Sequence, residues 1–152
     1  MRDNLAAEKT FARHPDGELP PYVIGLNLER DQDNRDVAGP NGALIDVEAQ
    51  ELSRLDLREL RYDRVELTEA VTVDHGFDAV FGYTAKPDHY APRPPAGAVA
   101  MAPYLRLIET AFRELGEGEW ELFLETTGPP PVETIEPRLV RDEIPSGNPR
   151  EW

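Results

Sequence analysis

The chain has 152 residues, about one average domain, and sixteen Lys and Arg stand against thirty Asp and Glu, a formal net charge of −14. That balance leaves no basic patch for a sequence-independent grip on nucleic acid or an anionic membrane, and the few cations are interleaved with acids, as Arg58, Arg61 and Arg64 are with Asp56, Glu59 and Asp63. The absence of cysteine excludes a disulfide scaffold, a thiolate metal site and a cysteine nucleophile.

In chain order, Met1 to Lys9 lacks the apolar core of a signal peptide, and no apolar run approaches the roughly 18 residues of a membrane span. A cytoplasmic protein with neither nucleic acid nor membrane as partner is expected. Tyr22, Ile24, Leu26 and Leu28 alternate with Val23, Gly25 and Asn27, which predicts a strand with one buried face. Ala43–Val47 follows the turn Pro40-Asn41-Gly42 and predicts a second strand. Ala49, Leu52 and Leu55 then recur every third residue, so a short helix is expected over 48–55, poorly capped because Glu48 stands where Ser or Thr would serve. Val65, Leu67, Val71 and Val73 share one parity, and Phe77, Ala79, Phe81 and Tyr83 share the next, with Asp74-His75-Gly76 between them as a hairpin turn.

Five of the fifteen prolines lie between Pro87 and Pro103 and mark a loop. Pro103 suits the first turn of a helix whose apolar face is Tyr104, Leu107, Ile108, Ala111, Phe112 and Leu115, stopped by Gly116. A last short helix is expected around Trp120, Phe123 and Leu124. Six further prolines lie between Pro129 and Pro149, where helix or central strand is disfavoured, so 1–127 is expected as one domain and 128–152 as an extended tail. Strands first and helices later predict an α+β fold, with an antiparallel or mixed sheet covered on one side or curled into a small β-barrel.

No nucleophile elbow, phosphate loop or dinucleotide fingerprint occurs, and His14, His75 and His89 lie far apart with no second ligand at metal spacing. Carboxylates remain. Glu59, between a helix and a strand, has two readings: an ion-paired surface group flanked by Arg58 and Arg61, or a carboxylate at the mouth of the sheet with Leu60 and Tyr62 beside it.

Here the sequence resembles a family. The run G-A-L-I-D-V, a helix ending L-S-R-L-D-L-R-E, a Tyr three residues on, a strand ending F-G-Y, a proline-rich loop and a helix opening P-Y-L-R-L-I resemble the gamma-glutamylcyclotransferase-like family over about residues 22–127. The resemblance implies a small mixed β-barrel with flanking helices, Glu59 as the single catalytic carboxylate, and Tyr62 and Tyr104 lining the substrate pocket. The family's N-terminal Tyr-Gly-Ser loop, whose backbone N–H groups hold substrate, is absent before Tyr22, and residues 3–9 resemble the segment on the C-terminal side of that loop. A missing barrel strand is therefore expected, leaving an exposed sheet edge that would invite a homodimer.

The implied chemistry is intramolecular aminolysis. The α-amine of a small-molecule gamma-glutamyl amide attacks its own γ-carbonyl and releases 5-oxoproline and an amine, with no cofactor and no metal. Glu59 would take the ammonium proton and return it to the leaving amine, a role that favours an apolar surround. Arg58, Arg61 or the Asn41-Gly42 turn would meet the substrate's α-carboxylate. The alternative is a catalytically degenerate member of the same fold, acting as an interaction module through its acidic surface and proline-rich tail.

Overall fold

The computed structural model describes residues 1–29 and 39–150. Two strands precede anything the periodicity announces, β1 (Arg2–Asp3) and β2 (Lys9–Arg13). Between them Asn4, fully buried, replaces a regular ladder: its side-chain amide donates to the carbonyls of Phe11 (2.8 Å) and Pro20 (2.7 Å), and its Oδ1 accepts from the Phe11 N–H at 2.9 Å. A buried Asn is tolerated because its polar atoms find such partners.

β3 is short, Tyr22–Val23, and residues 24–29 carry no ladder, although their alternation predicts one. The helix α1 spans Ala49–Arg58 without a side-chain cap at Glu48, as the sequence predicts. β4 (Tyr62–Glu66) and β5 (Phe81–Ala85) pair antiparallel from Tyr62↔Ala85 to Glu66↔Phe81. Their connection is not the tight hairpin expected at Asp74-His75-Gly76: the strands stop at Glu66 and restart at Phe81, with a 3₁₀ turn at Thr68–Ala70 between.

Three differences from the sequence expectation are structural. Ala43–Val47 forms no strand and is exposed, Ile45 at 79%. An apolar run becomes a strand only where a partner takes its backbone donors and acceptors, and no strand pairs with this run among the described residues. β6 (Ala98–Met101) lies within the proline-rich loop, four residues between a turn at 96–97 and a helix that begins at Ala102, with Ala98, Val99 and Ala100 buried. The segment after Thr127 is extended but held in place, as β7 (Glu133–Ile135) beside β6 and β8 (Pro137–Asp142) against β2. Pro137 opens its strand, the one position there where a missing donor costs least.

The result is a mixed α+β architecture. One sheet runs β1-β3-β6-β7, antiparallel at β1–β3 and parallel at β3–β6 and β6–β7. The ribbons β2–β8 and β4–β5 stand separately, so the strands of the described residues form three sheets and not the expected closed barrel. A parallel β6–β7 pair demands a crossover, and α2 (Ala102–Leu115) and α3 (Glu117–Thr126) supply it. Val23, Val99 and Ile135, packed by Met101, make the sheet's core. Pro103 sits in the first turn of α2, and Gly116 (φ 144°) separates α2 from α3 in a conformation side chains resist. The buried face of α2 is rotated from the predicted stripe: Tyr104, Leu105, Ile108 and Phe112 are half-buried, while Leu107 and Leu115 are exposed. Phe112 and Phe123 meet at 4.4 Å between ring centroids, and Trp120 stacks on Phe123 at 5.4 Å. Of the described helices, none is long and apolar enough to cross a membrane.

The chain's two ends are joined. Arg141 donates from Nε to Thr10 Oγ1 (3.0 Å) and from Nη2 to the carbonyls of Leu5 (2.5 Å) and Ala7 (2.8 Å). Lys9 pairs with Asp142 at 3.4 Å across the β2–β8 ribbon, and Arg150 with Glu8.

Candidate functional site

Glu59 comes directly after the last residue of α1, its N–H donating to the Leu55 carbonyl (2.7 Å) and its carbonyl accepting from the Tyr62 N–H (2.8 Å). This tight turn carries the chain from helix to β4 within three residues, so Glu59 and Tyr62 are brought to the same side. Both line a cavity of about 450 Å³, with Tyr104 from the first turn of α2, the Ile24–Gly25 backbone and Met101. The three residues that the resemblance singles out therefore share one cavity.

The two tyrosines bracket Leu26. Tyr62 donates its hydroxyl to the Leu26 carbonyl at 3.0 Å, and the Leu26 N–H donates to the Tyr104 hydroxyl at 3.3 Å. This is where the ladder-free segment satisfies its backbone. The consequence for chemistry is asymmetric: the Tyr62 proton is committed, while Tyr104 accepts a bond and, among the described residues, has no acceptor for its own proton. Burial raises both phenols above their usual value. For Tyr62 the neighbouring Tyr104 and Glu59 add to the effect, and for Tyr104 the Leu26 amide opposes it while Glu59 adds. Both are neutral at ordinary pH. The Glu59 side chain is 30% exposed and sits 3.4 Å from Arg58 Nε.

The same cavity is lined by Arg2, Arg61 and Arg150, with His89. The Arg2 guanidinium packs over the Phe11 ring at 5.1 Å and is pushed down to about 10, first by burial and then by Arg61 and Arg150. Arg61 is lowered by burial, then by Arg150, with Glu8 and Tyr62 opposing. Sequence reasoning raised Arg61 as a carboxylate partner but missed Arg2, Arg150 and His89. Positions at opposite ends of the sequence give no local signal of shared burial. The Asn41-Gly42 turn is not at the cavity: Asn41 Nδ2 donates to the Glu119 carbonyl and carboxylate, both at 2.8 Å. Among the described residues no group of three His, Asp or Glu is arranged to hold a metal ion.

A second cavity of about 460 Å³ lies between α2, α3 and the sheet, lined by Leu105, Ile108, Trp120, Phe123 and Pro129–Pro131. It shares Ile24, Gly25 and Tyr104 with the first. Comparison of the chain with protein-family models, with curated proteins and with solved structures finds no match in any of the three.

Proposed function

We propose that this chain is a gamma-glutamylcyclotransferase-like enzyme that cyclises a gamma-glutamyl amide to 5-oxoproline and an amine. The observation that carries the reading is the convergence of Glu59, Tyr62 and Tyr104 on one cavity. The substrate's α-amine nitrogen forms a bond to its γ-carbonyl carbon, and the amide C–N bond breaks. Glu59 accepts the proton lost by the attacking nitrogen and delivers it to the departing amine. The Tyr104 hydroxyl, whose proton is uncommitted among the described residues, donates to the oxyanion that develops on the γ-carbonyl. Tyr62 fixes the Leu26 carbonyl and so the wall against which Tyr104 is set.

The family's closed barrel is not a support for this reading, since the strands of the described residues stand in three sheets. The support is the site. Purified protein is expected to release 5-oxoproline from gamma-glutamyl amides, and Glu59→Gln to lose roughly 100- to 10,000-fold in turnover, the usual worth of a general acid–base group. Undiminished turnover in that variant would end the assignment.

A further inference from the structure

In a chain whose carboxylates far outnumber its cations, arginines are mostly claimed. Arg13 is held by Glu133, Arg64 by Asp56, Arg106 by Glu136, and Arg113 by Glu109 and Glu117. Arg2 departs from this pattern. Its Nε and Nη2 are cut off from water and have no hydrogen-bond partner among the described residues. Burying guanidinium nitrogens without acceptors is expensive, and nearby cations make it more so. Yet Arg2 is gathered with Arg61 and Arg150 around a single cavity, and of these three only Arg150 has a carboxylate paired to it among the described residues, Glu8.

Such an arrangement suits an anion. An oxyanion in the cavity would give the guanidinium groups of Arg2 and the half-buried Arg61 a shared acceptor and turn mutual repulsion into a charge-assisted clamp. Glu59 and Arg58 stand elsewhere on the same lining, so a ligand carrying an ammonium and an oxyanion could be held by its two charges at once.

We propose that Arg2 and Arg61, backed by Arg150, form an oxyanion site in this cavity that holds the carboxylate or phosphate of a small-molecule ligand. Under the cyclotransferase reading, on which this refinement rests, that oxyanion is the substrate's α-carboxylate, met by arginine side chains.

The test is calorimetric titration in low-chloride buffer with three probes: 5-oxo-L-proline, 2-pyrrolidinone, which lacks only the carboxylate, and inorganic phosphate. Binding of 5-oxo-L-proline without binding of 2-pyrrolidinone is expected, and Arg61→Gln is expected to weaken it roughly 10- to 100-fold, as for a hydrogen bond to a charged group. Arg61→Gln without ligand is expected to melt no lower than the parent protein, because it removes a half-buried cation that faces Arg150 and has no paired carboxylate among the described residues. A purely structural arginine would lower the melting temperature instead. Arg61→Lys, which keeps the charge, is expected to recover part of the affinity.

Phosphate binding that depends on Arg61, with no response to 5-oxo-L-proline, keeps the oxyanion site and removes the support for cyclotransferase chemistry. Equal binding of 5-oxo-L-proline and 2-pyrrolidinone, binding indifferent to Arg61, or binding of neither anion overturns the site.

Discussion

Tyr104 separates two cavities of nearly equal volume and opposite character. One is walled by Glu59 and arginines drawn from both ends of the sequence. The other is walled by Leu105, Ile108, Trp120 and Phe123 and by three consecutive prolines. Apart from Ile24–Leu26, the apolar one is built from neighbours in sequence, the stretch from Ala100 through the crossover helices to Thr134, so local amphipathicity makes most of it. The charged one requires β1, the α1–β4 turn, α2 and the C-terminal segment to meet. What separates a candidate reaction site from a packing gap is the cost of holding charge there, a cost that packing alone does not repay.

The charged cavity is most sharply broken at Asn4. Asn4→Ala removes three hydrogen bonds, one buried and two partly buried, and takes a partner from the Phe11 N–H and two carbonyls, so a loss of about 2–4 kcal/mol is expected in denaturant unfolding. Because Asn4 also fixes Phe11, over which Arg2 packs, affinity for phosphate at the charged cavity should fall with it. The apolar cavity has a corresponding lever in Phe123, which joins Phe112 and Trp120. Phe123→Ala is expected to cost about 2–3 kcal/mol, below a fully buried aromatic because Phe123 is only half-buried, and to leave release of 5-oxoproline unchanged. A parallel fall in turnover would show that the two cavities act as one.

The smallest expected effect is alkaline. Tyr83, donating to Asp56 Oδ1 at 2.9 Å, is pushed up to about 12, by burial first and by that carboxylate second, and Tyr62 and Tyr104 are raised by burial. For each, the folded state holds the phenol protonated more tightly than the unfolded chain, whose tyrosines ionise near about 10. Their contribution to stability is thus whole below about pH 10 and declines as pH climbs through the folded values. Tyrosinate absorbance during a pH titration, folded against denatured, measures the shift. Asp56→Asn should bring Tyr83 back toward its ordinary value while leaving Tyr62 and Tyr104 where they are.

Helices were legible because each carries its own signals. Pro103 and Gly116 bracket α2, and Leu52 and Leu55 mark α1 even with a poor cap. The place of Glu59 between helix and strand came with them. The sheets were much less legible. β6 has four residues, β7 three and β3 two, too few for a period to show, and their pairing is decided by partners far away in sequence. The apolar run Ala43–Val47 has the stronger local pattern and forms no strand, since a strand needs a neighbour as well as a propensity. Prolines misled in the same direction: they frame β6 and open β8, positions where they cost the ladder little. Arg2 and Arg150 were invisible as site residues for the same reason as the sheets.

The clasp between β2 and β8 has a temporal consequence. During synthesis, Lys9–Arg13 leaves the ribosome long before Pro137–Asp142 can meet it, so the nascent chain carries Arg2 and Glu59 with nothing to enclose them. Contacts of such long sequence separation form slowly. The cavity is complete only when the two ends close, and the interval before closure is when unpaired strands are open to misassembly.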